Sequence, residues 1–192
     1  MLSSLLLLMF DLIVGLAQIF LGLLAENAGE WVFHRYVLHE LGKRPNSLWS
    51  YHWSEHHRIA RANKMFDPGY TEWPLRWNTQ GKEALFLVAI VIVHLPLMAI
   101  LPLYVCGLYA GLILYYLRHR RSHVDPEWAE THLLWHYEHH LSPTVDANWC
   151  VTWPWFDWLM GTRIRPDRTR ASSSGRTGKM DTRKNGLTGS DD

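Results

Sequence analysis

The sequence predicts an all-α integral membrane protein: an N-terminal span and a membrane hairpin beneath a cytosolic, histidine-rich helical cap. Three observations predict it. Residues 84–117 form a run of 34 with no Asp, Glu, Lys or Arg. Residues 5–24 hold 16 apolar residues and two Gly, interrupted only by Asp11 and Gln18. Twelve histidines are present, and ten of them gather in four short clusters outside both blocks. The averages over 192 residues, 48% apolar and 19% charged, match an ordinary soluble domain and conceal this division.

Residues 1–25 read as the first transmembrane helix. A cleaved signal peptide fits less well, because the apolar region is long, no Lys or Arg precedes it, and no small-x-small cleavage site follows. The first basic residue is Arg35, so all 19 Lys and Arg follow this span, and the positive-inside rule puts that side in the cytosol. The helix can continue over residues 26–40 until Gly42, Lys43, Arg44, Pro45 and Asn46 break it. A second helix is expected over 49–62, followed by a loop through Asp67, Pro68 and Gly69.

The long apolar block would reach about 51 Å as a helix, against about 30 Å for one crossing and about 60 Å for two. Pro96 and Pro102 favour a bent pair of short helices, 84–100 and 103–118. Sequence rich in charge, aromatics and histidine then returns, completing a unit over residues 26–165. Residues 166–192 contain no aromatic and read as a disordered polar tail.

Charge and cysteine content exclude several functions. Residues 163–192 carry eight Lys/Arg against four Asp/Glu, which leaves 11 against 14 for residues 1–162. The basic excess belongs to the tail, so a nucleic-acid partner is not expected. Cys106 and Cys150 are the only cysteines. They cannot supply a disulfide framework, a thiolate zinc site or a protein-held iron–sulfur cluster. All 11 Trp lie outside the two apolar blocks, as expected of an interfacial layer.

The clusters are His34/His39, His52/His56/His57, His119/His123 and His136/His139/His140. Residues three or four apart share a helix face, so His52/His56, His119/His123 and His136/His140 can each present two imidazoles in one direction. The adjacent pairs His56/His57 and His139/His140 diverge by about 100°, so each pair can serve two different ions. His34 and His39, five apart, diverge by about 140° on a straight α-helix and would need separate ions or a helix end near Glu40. Ten imidazoles overfill one ion and suit two, whether iron, zinc, copper or nickel. His94 reads as a membrane-facing or hairpin-packing residue rather than a ligand, and His132 as a ligand or an outer-shell group. Glu30, one turn before His34, either orients that ring or is an exposed helix charge. Glu55, Asp125, Glu138, Asp146 and Asn148 are outer-shell candidates. Two clusters precede the apolar block and two follow it. A common site therefore requires the block to enter and leave on one membrane face, as a hairpin.

These boxes resemble the fatty acid hydroxylase/sterol desaturase superfamily of integral-membrane di-iron proteins. That pattern is H-x(3–4)-H, H-x(2–3)-HH, often H-x3-H, and a final H-x(2–3)-HH, and all four elements occur here over roughly residues 27–162. The second box has three intervening residues, where hydroxylases commonly have two. The run from Asn148 to Thr162 resembles the segment that follows the last box in that family.

The resemblance implies two iron ions, with zinc as an alternative, held by the ten histidines. It also implies O2 as co-substrate, a fatty acyl, sterol or related lipid substrate drawn from the bilayer, and hydroxylation of a C–H bond. A desaturase and a carotenoid hydroxylase share this box type. No haem-domain run, nucleotide-binding glycine loop or cysteine cluster is present, so an external ferredoxin- or cytochrome-type donor is expected. Outside oxidases, the alternatives are a dinuclear zinc hydrolase, which would usually show bridging carboxylates, and a metal transporter, which would place its ligands within its spans.

Overall fold

The computed structural model describes residues 2–143 and 146–165, so the segment expected to be a disordered tail lies outside the described residues. Helix α1, Leu2–Val32, runs directly into a π-helix, Phe33–Leu41. After the turn at Gly42, a second π-helix, His52–His57, continues as α2, Arg58–Ala62. Helix α3, Thr79–His94, leads through a 3-10 turn, Leu95–Ala99, into α4, Pro102–Val124. Among the described residues three short helices follow: α5 (Pro126–His132), α6 (Leu134–Leu141) and α7 (Trp155–Leu159). No strand occurs among the described residues.

Local chemistry sets the ends. The side chain of Asn78 accepts the Gly81 N–H at 2.9 Å, so α3 begins ahead of the apolar block and includes Lys82 and Glu83. Pro102 opens α4, where its missing N–H costs nothing. Asp125 accepts the Trp128 N–H at 3.1 Å and starts α5. Helix α4 runs past residue 118 and carries His119 and His123 out of the apolar region on one rigid rod.

Among the described residues two helices are long and apolar enough to cross a membrane, Leu2–Leu41 and Thr79–Ala99. Leu6, Leu12, Ile92 and Val93 are all more than half exposed, an arrangement suited to lipid and unfavourable in water. Helices α1 and α4 run side by side in the same direction, and glycines let their backbones touch. A Cβ on Gly107 would strike the Ile19 carbonyl, and one on Gly22 would strike the Tyr104 carbonyl. Gly107→Val is therefore expected to destabilise the fold by about 1–3 kcal/mol, read as a lower thermal midpoint in detergent. An unchanged midpoint would contradict this contact.

Tryptophans divide between two roles. Trp73 and Trp77 are exposed beside the apolar helices, whereas Trp31 and Trp149 pack with Cys150 in a small buried core, with Phe156 against it. Trp31 and Trp149 thus depart from the expected interfacial layer. The second role is structural: this core docks the chain after α6 onto α1.

Candidate metal centre

The π-helices decide which histidines meet. The Gly42 N–H reaches the Val37 carbonyl, five residues back, at 3.1 Å. With that winding, residues five apart stack on one face. His34 and His39 therefore point to one place, which corrects the expectation of separate ions or a helix end near Glu40. In the second π-helix, His52 pairs with His57 and not with His56, which corrects the i,i+4 pairing expected of a straight helix. Helix α4 is α-helical, and His119 and His123 stay together.

Two groups result. In the first, nitrogens of His34, His39, His52, His57 and His139 all lie within 4.8 Å of one another. His39 and His57 Nε2 are 3.0 Å apart, and His139 Nε2 is 3.2 and 3.3 Å from them. The second holds His56, His119, His123 and His140 by the same measure. His136 joins its edge, with Nε2 3.3 Å from His123 Nε2 and its ring 4.6 Å from that of His140. The groups abut where the His57 and His140 rings stack at 4.3 Å. Each adjacent pair, His56/His57 and His139/His140, divides between them.

Outer acceptors fix the rings. His34 Nδ1 donates to the Trp149 carbonyl at 2.5 Å, His123 Nδ1 to that of Met65 at 2.9 Å, and His139 Nδ1 to that of Ala147 at 2.7 Å. A carbonyl can only accept, so these three rings carry their proton on Nδ1 and present a bare Nε2. Carboxylates serve two more: Glu83 lies 2.8 Å from His119 Nδ1 and Asp67 3.4 Å from His56 Nδ1. The Tyr70 hydroxyl donates to the other Glu83 oxygen at 2.5 Å.

Burial, reinforced by neighbouring imidazoles, pushes His52, His57, His136, His139 and His140 well below the usual imidazole pKa. Neutral rings then converge nitrogen to nitrogen, those of His34, His123 and His139 with a bare Nε2, and the Nε2 atoms of His56 and His140 are buried without a hydrogen-bond partner. A donor set of this kind, with bare or unpartnered imidazole nitrogens converging in each group, fits a cation there.

The depressed values also make the metal-free fold acid-sensitive. The unfolded chain, with imidazoles near 6.5, takes up protons first as pH falls. Stability from these groups is complete above that value and lost below it. The thermal midpoint of chelator-treated protein is therefore expected to fall between about pH 7.5 and about pH 5.5. A flat profile would contradict the neutral assignment.

Several outer-shell expectations resolve differently. Glu30 does not bond His34, and it is not an exposed charge. It is buried, and it accepts the N–H groups of Val151 and Thr152 at 2.8 and 3.1 Å. It thereby clamps the segment that offers the Trp149 carbonyl to His34. Asn148 holds the segment after α7, donating to the Ile164 carbonyl at 3.0 Å and accepting from Arg163 at 2.9 Å. His132 is exposed, with its ring stacked on Trp128, so its i,i+4 relation to His136 does not bring it to either group.

Glu55 pairs with Lys82, Glu138 with Arg163, and Asp125 caps α5. Asp146 alone of that set approaches a candidate ligand, 3.9 Å from His39 Nδ1, while also pairing with Lys43 at 2.8 Å. The sequence reading missed Asp67, Glu83 and Tyr70. The Asp67-Pro68-Gly69 turn was visible, but its direction was not.

A cavity of about 340 Å³ opens between α1, α3 and α4. His34, His52 and His119 border it at one end, and His94 and Tyr104 at the other. Between them the wall is mostly apolar, with Phe33, Phe86, Leu87, Ile90, Leu108 and Leu112.

The fold and site thus define a helical membrane protein with paired histidine clusters able to hold metal ions at the end of an apolar cavity. A family model described as fatty acid hydroxylase matches residues 19–162, and the chain belongs to that family. No curated protein and no solved structure matches it.

Proposed function

We propose that the chain is an O2-dependent di-iron oxygenase that hydroxylates a C–H bond of a lipid, with electrons from an external ferredoxin- or cytochrome-type donor. The cavity carries this reading: an apolar slot bordered at one end by histidines of both clusters suits an acyl or ring substrate. Residues 26–165 form the catalytic unit, multi-pass with the clusters on the cytosolic face, and residues 1–25 anchor it. Bound iron would supply the oxidising power needed to attack an unactivated C–H bond.

The chain's own residues do the rest. Phe33, Phe86 and Leu112 exclude water and align the substrate. Trp149, Met65, Ala147, Glu83 and Asp67 hold imidazoles in fixed orientations, and the rings bound by the three carbonyls keep a bare Nε2 that would be available to hold a metal. The carboxylates of Asp67 and Glu83 lie on the Nδ1 side of their histidines, where they orient rings. That arrangement differs from the bridging carboxylates of a dinuclear zinc hydrolase.

Lipids from cells expressing the wild type or His136→Ala test the reaction. An O2-dependent lipid that gains one oxygen atom, present only with the wild type, is the expected result. Loss of two hydrogens would reassign the chemistry to desaturation. No O2-dependent change in iron-replete cells with a competent electron donor would overturn the oxidase reading.

A further inference from the structure

The cavity wall carries an acidic side chain that the histidine clusters do not use. Glu26 is only 5% exposed, both its carboxyl oxygens are buried without a hydrogen-bond partner, and it lines the cavity. Gly111 makes space for it, since a Cβ there would lie 2.8 Å from both Glu26 Cγ and Oε2. Glu26, Glu30 and His34 follow one another at four-residue intervals along one helix face, and all three border the cavity. Glu30, engaged by the Val151 and Thr152 N–H groups, lies close enough to Glu26 for the two carboxyls to share a proton, and beyond that proton nothing donates to Glu26. The helical rise puts it about 12 Å along the axis from His34.

A buried carboxyl oxygen that no donor meets is costly unless a ligand completes it. We propose that Glu26 hydrogen-bonds a hydroxyl or carbonyl carried partway along the acyl chain of the lipid substrate, and so fixes which carbon lies at the histidine clusters. This inference rests on the reading of the cavity as the lipid site. As a carboxylate, Glu26 accepts from a hydroxyl; as a carboxylic acid, it donates to a carbonyl. A plain hydrocarbon tail would leave it unpaired, so the cavity selects against such a tail more strongly than an apolar slot could.

Binding measures this without turnover. Stearic acid and a set of hydroxystearic acids, with the hydroxyl moved stepwise along the chain, are titrated calorimetrically into the full-length protein in detergent. One hydroxyl position is expected to bind about tenfold more tightly than stearic acid, the worth of one buried hydrogen bond. Glu26→Leu should erase that preference, and Glu26→Gln should keep part of it, with metal content unchanged in both.

Equal affinity for every acid in the wild-type protein overturns the role of Glu26 and leaves the lipid reading standing. A preference that survives in Glu26→Leu overturns it too. Failure of every acid to bind overturns it together with the acyl-chain form of the lipid reading.

Discussion

Replacing His139 with alanine is expected to abolish turnover and remove one metal ion per chain. His139 Nε2 lies 3.2 and 3.3 Å from the Nε2 atoms of His39 and His57, and its own orientation is locked by the Ala147 carbonyl. Loss of an outer partner of a metal ligand typically lowers affinity about 10–100-fold, and loss of the donor itself should exceed that. The second group does not include His139, so the effect should fall on one ion and spare the other. His132→Ala is the control: its exposed ring stacks on Trp128, and both metal content and activity should stay at wild-type levels. Equal metal loss in the two variants would mean that binding follows histidine content rather than this geometry.

Glu83→Ala should have the next largest effect. It strips His119 Nδ1 of an acceptor at 2.8 Å and the Tyr70 hydroxyl of one at 2.5 Å. His119 Nδ1 can still reach the Tyr70 hydroxyl at 3.3 Å, but one buried donor is left unpaired at a cost of about 1–3 kcal/mol, and His119 is held less firmly in its group. Metal affinity of the second group is expected to fall about 10–100-fold, seen as an earlier release of one ion in a chelator titration. Glu83→Gln retains one acceptor oxygen and should fall between the alanine variant and the wild type. A chelator profile unchanged in Glu83→Ala would remove Glu83 from the site.

Much of the architecture was legible because it is written in composition. Two blocks without basic residues gave the apolar helices, and Pro96 and Pro102 marked the bend that the 3-10 turn Leu95–Ala99 occupies. The four histidine clusters were legible as sets. Their pairing was not, because the angles between His34 and His39, or between His52 and His56, were reckoned on α-helical winding. A π-helix changes the residues that share a face, and no residue type signals it. His119 and His123 could be paired from sequence because α4 keeps its ordinary winding.

Outer partners were the least legible. Three of them are backbone carbonyls, at Met65, Ala147 and Trp149, which leave no mark in a sequence. Glu83 looked like nothing more than the charged residue before an apolar run. Glu30 was correctly singled out, but its partners are 121 and 122 residues away along the chain, in the segment that closes over the site.

Metal content of the full-length protein, purified in detergent without oxygen from iron-replete cells, tests the central claim most directly. About two iron ions per chain are expected, with X-ray absorption showing a first shell dominated by imidazole nitrogen. Stoichiometric zinc, or a single ion per chain bound by carboxylate oxygen, would contradict it.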